Sequence, residues 1–370
     1  MRQSKRSAFV FVDDGPLWHS FHQVAALVRR RGYQTVRVTT ARTGRLSRLF
    51  DRLLYDRAHY LPGVGGLAQL ADVLASLDVA QIYATETVLG AIGDDVFTVL
   101  PQDLAAEMRR RTRYSDKMRA AAIATEVGVS VPEQIPGSAG SDCAIERLGL
   151  PLVVKTKMGA AGFGVRIADS PEVVKQAVAE LGPVDDLYYE NFIDGPVVCY
   201  AAFVAAEGIV QELTYQAVAA SNDDTAAPPL YVVIDDPQLA AAGRRVCERV
   251  GIRGPINMQA IRDQNGTNWM IDLNLRPFGG MLSHDQELVD TAAAYLNAVG
   301  LTDVAPLRRK ATVGAEVAEF PNDVELLARR GRYLDALRVY LRRSPKFHPL
   351  FGLNYIAFAA LNGVASKLDI

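Results

Sequence analysis

Two short runs hold residue types that could do chemistry together. The first is Leu152-Val153-Val154-Lys155, followed by Gly159-Ala160-Ala161-Gly162-Phe163-Gly164. A strand that delivers a Lys into a loop with three glycines suits a phosphate: small residues let backbone N–H groups approach its oxygens, and the ammonium adds a point charge. The glycine spacing is Gly-x-x-Gly-x-Gly with no Gly-Lys-Ser/Thr after it, so it is neither a Walker A loop nor the dinucleotide fingerprint. Taken alone, a tight hairpin with no ligand explains it equally well. The second run is Ile271-Asp272-Leu273-Asn274-Leu275-Arg276-Pro277, with Gly279 and Gly280 just beyond. Alternate residues of a strand share a face, so Asp272, Asn274 and Arg276 line up. A carboxylate beside an amide oxygen makes a hard-oxygen site suited to Mg²⁺. Arg276, next along, can grip an anionic oxygen with its planar fork. Gln259, on the neighbouring strand, can add a further oxygen. A solvated polar sheet face is the competing reading. His19, Asp13 and Asp14 follow or end the first strand and are candidates for lining an acceptor site, because ligands bind beyond the carboxyl ends of parallel strands. His284 is read as a structural or substrate-lining residue.

The elements that must position these residues follow from hydrophobic periodicity. Residues 8–12 (AFVFV) read as a buried strand closed by Asp13-Asp14-Gly15-Pro16. A helix over 17–31 follows, with Trp18, Phe21, Val24, Ala25 and Val28 at helical spacing. Residues 34–39 alternate as a strand and 81–84 form a weaker one, which together imply an open parallel sheet. A helix over 115–127 takes Ser115 as N-cap and ends near Gly128. Strands are expected at 152–154, 165–167, 187–192 and 196–204, with a helix at 171–181. Residues 217–229 are rich in Ala, Asp and Pro and read as a mobile loop. Further helices are expected at 236–250 and 285–299. Between them, strands 256–262 and 268–273 form a hairpin about Gln264-Asn265-Gly266. No internal repeat is present.

Composition bounds the rest. The chain has 370 residues, 49% of them hydrophobic and 22% charged, with a formal net charge of -2. That fits a globular protein of two or three units and supplies no global basic field for nucleic acid. Cys143, Cys199 and Cys247 are scattered, which signals neither a zinc site nor a disulfide framework and suits reduced thiols in a cytoplasmic protein. Towards the end, Arg329, Arg330, Arg332, Arg338, Arg342, Arg343 and Lys346 face only Asp335, and the apolar stretch 351–365 follows. A helical appendage packed on the body or on a second subunit of a homodimer is favoured over docking on an anionic membrane or an acidic carrier protein.

In order, these motifs resemble the ATP-grasp superfamily over about residues 80–305 and most specifically over 114–300. The resemblance rests on Asp116-Lys117 opening a helix that ends at Gly128-Val-Ser-Val-Pro132. Val-Val-Lys155 with its glycine loop comes next, then Tyr189-Glu190-Asn191-Phe192-Ile193-Asp194-Gly195. Gly254-Pro-Ile-Asn-Met-Gln259 and Asp272-Leu-Asn274-Leu-Arg276 complete it. The pattern is shared with carbamoyl-phosphate synthetase-like and D-alanine–D-alanine ligase-like members. It implies a mixed α/β and α+β fold. An N-terminal open parallel α/β domain (1–113) precedes a lid sub-domain (114–193), a catalytic sub-domain (194–305) and a helical C-terminal extension (306–370). ATP would lie between the two α+β sub-domains.

The resemblance implies roles by position. Lys117 and Lys155 would hold the ATP phosphates, with Lys155 mostly exposed until ATP arrives. The loop residues Gly159, Ala160, Ala161, Gly162 and Gly164 would close over the β- and γ-phosphates. Glu190, Asn191, Phe192 and Ile193 would read adenine. Gln259, Asp272 and Asn274 would bind one or two Mg²⁺ ions, and Arg276 would stabilise an acyl phosphate. Two departures stand out: Val197 occupies the position of the ribose-binding Glu found in many relatives, and Asp272 replaces the usual Glu. The expected activity is ADP-forming ligation of a carboxylate to a small amine or amino acid. The alternatives are a nucleotide-binding scaffold without turnover, or a kinase or thiol-ligase variant.

Overall fold

The computed structural model describes residues 7–15, 19–41, 45–159, 162, 164–217, 230–278, 291–302, 313–318, 324, 327 and 331–343. The apolar run 8–12 forms β1 (Ala8–Asp13), a buried central strand between β2 (Gln34–Thr39) and β4 (Val79–Ala84), with β3 (Arg57–Tyr60) beyond β2. All pairings in this sheet are parallel. Strands buried on both faces need cover on both. Here α1 (His19–Arg30) packs with Phe9 and Phe11 on one face. On the other, Val10, Val12 and Ile82 meet residues of α3 (Leu70–Ala75), α4 (Glu86–Ala91), α5 (Asp94–Thr98) and α6 (Gln102–Ser115). Helix α2 (Arg45–Leu54) precedes β3.

Helix α7 (Lys117–Glu126) follows α6 after one residue. The expected N-cap, Ser115, is instead the last residue of α6. The cap is Asp116, whose carboxylate accepts from Met118 N at 3.0 Å and Arg119 N at 3.1 Å. The carboxylate takes two of the orphan N–H groups of the first turn and carries charge that suits the helix dipole.

A small antiparallel sheet comes next, in the order β5 (Gln134–Pro136), β8 (Leu187–Asn191), β6 (Leu152–Thr156), β7 (Val165–Ala168). Helices α8 (Ser141–Leu148) and α9 (Pro171–Leu181) cover one face, burying Ile135, Leu152, Val154, Leu187 and Tyr189. The other face carries polar groups.

The largest sheet is antiparallel, in the order β13 (Asn268–Asn274), β12 (Gly254–Arg262), β9 (Val197–Ala205), β10 (Gly208–Ala217), β11 (Leu230–Ile234), β14 (Glu316–Ala318). On one side it packs on α10 (Pro237–Val250), whose first turn is capped by Asp236, and on α7 through Ala120, Ile123 and Ala124. So the division drawn at 114–193 separates α7 from the sheet whose core it shares. On the other side Cys199, Ala201, Phe203 and Tyr215 join α11 (Thr291–Ala298) and the Phe9, Phe11 and Phe21 cluster in one continuous core. The parallel unit and the large sheet are therefore packed as one body. Cys199 and Cys247 are buried free thiols and Cys143 is half-buried. Among the described residues no helix is long and apolar enough to cross a membrane. The basic stretch forms a helix over Tyr333–Arg343. The loop expected at 217–229, His284 and the apolar stretch 351–365 lie outside the described residues, apart from Ala217 at the end of β10.

Candidate functional site

The polar face of the small sheet and the end of the β12–β13 hairpin bring the two sequence runs together, with Lys117 between them. In the small sheet Lys155 on β6 lies opposite Tyr188 on β8, and Val153 lies opposite Glu190. Residues directly opposite share a face, so Lys155, Tyr188 and Glu190 all point away from the α8–α9 core. Lys155 Nζ donates to Glu190 Oε1. Gln134, opposite Glu190 on β5, donates to its other oxygen at 2.9 Å. Lys155 is 6% exposed and Glu190 1%. The expectation of a mostly exposed Lys155 is thus corrected: a carboxylate two strand positions away draws the ammonium in and compensates its burial. The same contacts commit both oxygens of the Glu190 side chain.

On the large sheet, Gln259 lies opposite Asp272 and Asn257 opposite Asn274. Lys117 Nζ donates to Asp272 Oδ1 at 2.6 Å, while the Lys117 backbone N–H donates to Lys157 O at 3.0 Å. One residue therefore fastens its main chain to the residue just after β6 and its side chain to the large sheet. Burial pushes the Asp272 carboxyl up, but Lys117, with Lys155 and Arg276 behind it, outweighs this and holds it below the ordinary carboxylate range. β13 ends at Asn274, so Arg276 lies just beyond the strand rather than on it. It still joins the row: its NH2 donates to Asn274 Oδ1 at 3.1 Å.

Two observations test whether a triphosphate and its metal suit this arrangement. The Tyr188 hydroxyl is buried without a hydrogen-bond partner on the face that carries Lys155 and Glu190. Burial and then Glu190, Asp272 and Asp116 push its ionisation well above the usual phenol value, so it stays a neutral donor. An orphaned donor on the strand position opposite Lys155 offers a hydrogen bond to a ligand oxygen. The metal candidates Gln259, Asp272 and Asn274 offer oxygen only, which fits Mg²⁺. Among the described residues no group of three or more His, Cys, Asp or Glu is placed to hold a metal, so the set has a single carboxylate.

The glycine loop is shaped locally. Thr156 N–H donates to Gly164 O at 2.9 Å, and a Cβ on Gly164 would stand 2.0 Å from Thr156 Oγ1. Gly159 and Gly162 have φ of 142° and 77°. Ala160, Ala161 and Phe163 lie outside the described residues. After β8, a Cβ on Gly195 would meet Arg262 O at 1.9 Å, so the turn into β9 requires glycine. Val197 is half-buried at the start of β9.

Sequence reasoning missed Glu86, Gln134 and Tyr188. Arg276 Nε lies 2.8 and 3.0 Å from the two oxygens of Glu86, the first residue of α4. Asp13 turns inward: it is 1% exposed and accepts from Arg37 at 2.7 and 2.8 Å and from Thr39 at 2.7 Å. It is therefore a structural ion pair and not a lining group. Asp14 is half-buried and accepts from Thr85 Oγ1 at 2.8 Å. His19 begins α1; its side chain is outside the description.

Three sheets in this order, with a lysine-lined face opposite an Asp-x-Asn strand, define the ATP-grasp fold. No protein-family model matches the chain. It is similar to the D-alanine–D-alanine ligase of Chromohalobacter salexigens, 28% identical over 193 residues, which are 49% of this chain and 60% of that ligase. The match thus spans about three-fifths of the curated relative's length. Among solved structures it resembles N5-carboxyaminoimidazole synthetase from Staphylococcus aureus complexed with ADP (TM-score 0.63, 14% identity, 93% of this chain and 88% of that one). It also resembles L-amino acid ligase from Bacillus licheniformis (TM-score 0.58, 18% identity, 83% and 76%). The chain shares the ATP-grasp fold with these structures.

Proposed function

We propose that the protein is a cytoplasmic ATP-dependent ligase. It would activate a carboxylate as an acyl phosphate and join it to a small amine or amino acid, releasing ADP and phosphate. The supporting observation is the pair of buried or half-buried lysines, Lys117 and Lys155. Each is held by a carboxylate, one on the large sheet and one on the small, with Arg276 at the end of the β13 row. Both reactants are anionic, so attack on the γ-phosphate requires neutralisation more than covalent help from the protein. In this reading Lys117 and Lys155 take the phosphates, the 159–164 loop covers them and Tyr188 donates to them. The backbone of 191–193 takes the adenine. Mg²⁺ held by Gln259, Asp272 and Asn274 would neutralise phosphate charge. Arg276 faces the carbonyl oxygen as negative charge develops there. A closed, dry site keeps the acyl phosphate from water. The ligase names among the relatives support amide formation, and the ADP complex supports the nucleotide. We also retain the division at 1–113, 114–193, 194–305 and 306–370, with α7 packing across the second boundary onto the large sheet, and a homodimer, as working proposals.

A nucleotide-binding scaffold is the second reading, favoured by Val197 and by the shorter Asp272, which is already paired with Lys117. Two assays separate the readings. A rise in melting temperature with Mg-ATP follows from binding to the folded state alone. ADP formation that depends on an added amino acid requires a ligase.

A further inference from the structure

β13 leaves its ladder at Asn274, and the next three residues are each held by a different element of the N-terminal unit. Arg111 of α6 donates to Leu275 O, and through its other terminal nitrogen to Arg253 O at 2.6 Å. Glu86 of α4 accepts from Arg276 Nε. Ser20 of α1 donates to Pro277 O at 2.9 Å. All are buried: Ser20, Glu86, Arg111 and Arg276 are at most 7% exposed.

A buried carboxylate is costly to desolvate and is compensated only by a close cation. Packing alone would be served by an apolar residue at position 86. The Glu instead holds the Nε edge of the Arg276 fork, Asn274 Oδ1 holds NH2 and Pro277 O holds NH1, which fixes the plane of the guanidinium. A group that must meet developing charge without reorganising has to be fixed beforehand. We propose that Glu86 is a positioning residue for Arg276, and that the N-terminal unit thereby sets the anion-receiving end of the β13 row. This rests on the nucleotide reading of the site given above.

The test uses the full chain and needs no knowledge of its substrates. Mg-ADP is the probe for the nucleotide site. Mg-ADP with aluminium fluoride is the probe for a phosphoryl group in flight, and both are read by thermal shift. For the wild type, Mg-ADP raises the melting temperature and fluoride raises it further. Arg276→Ala keeps the first step and loses the second. Glu86→Gln is expected to keep the first step and to weaken fluoride binding by about 10–100-fold, the usual cost of removing an orienting partner. The double variant E86Q/R276A should be no worse than Arg276→Ala, because Glu86 acts only through Arg276. Glu86→Asp, which keeps the charge, should recover part of the fluoride step and replaces the Gln variant if that does not fold. The proposal is overturned if Glu86→Gln leaves the fluoride step intact, if it weakens both steps equally, or if the two substitutions add. A wild type that responds to Mg-ADP but not to fluoride overturns this proposal alone. No response to Mg-ADP removes the nucleotide reading and this inference with it.

Discussion

At the residue scale, two lysines wait in ion pairs. Breaking a buried pair from one side strands its partner, at a cost of about 3–5 kcal/mol. Lys155→Ala should therefore lose stability as well as nucleotide binding, because Glu190 is left at 1% exposure with only Gln134. Lys155→Ala combined with Glu190→Gln should recover most of the stability and none of the Mg-ATP thermal shift; urea denaturation and thermal shift read the two separately. Equal losses in the single and double variants would contradict the pairing. Asp272 gives a pH test. Its carboxyl is held below the ordinary range by Lys117, Lys155 and Arg276 against the opposing effect of burial. A depressed folded-state value means its contribution is fully present above the ordinary carboxylate pKa and is lost as pH falls through the lowered one. Between about pH 2 and 5, Asp272→Asn should flatten the acid side of the melting-temperature profile. An unchanged profile would mean that Asp272 is not paired in solution.

At the element scale, β6, its loop and α7 place the cations. Gly164→Ala would put a methyl group 2.0 Å from Thr156 Oγ1, so it should disorder the loop and weaken Mg-ATP binding. Thr156→Ala in the same chain removes that oxygen and should restore binding. If Gly164→Ala alone binds normally, the loop is not held by Thr156. Asp116→Ala should cost about 1 kcal/mol as a lost N-cap. It should also weaken Mg-ATP binding, because Lys117 is the first residue of α7. Much of this was legible in the sequence. Lys155, the glycines and the Asp272–Arg276 row sit in consecutive local patterns, and period-two alternation predicts their shared face. What was not legible depends on distant partners. Glu86 meets Arg276 across 190 residues, and its signal is only a Thr-Glu pair opening a six-residue helix. The burial of Lys155 depends on the β6–β8 register, which no local pattern fixes. β10 escaped because Gln211 interrupts the alternation of Ile209, Leu213, Tyr215 and Ala217, and its register shifts between Ile209 and Gln211.

At the scale of the whole molecule, the parallel unit and the large sheet share a core through Phe11, Phe203 and Tyr295, whereas the small sheet has its own core. Nucleotide held between the two antiparallel sheets should therefore tie together parts whose cores are separate. ATP-driven amide formation is read from its products. Mg-ATP is incubated with pairs drawn from a panel of amino acids and small amines, and nucleotide and amide products are quantified by mass spectrometry. ADP and amide should form in equal amounts for at least one pair and be lost in Arg276→Ala while the Mg-ATP thermal shift remains. AMP and pyrophosphate in place of ADP, or an Arg276→Ala variant that forms the amide at the wild-type rate, would contradict this chemistry.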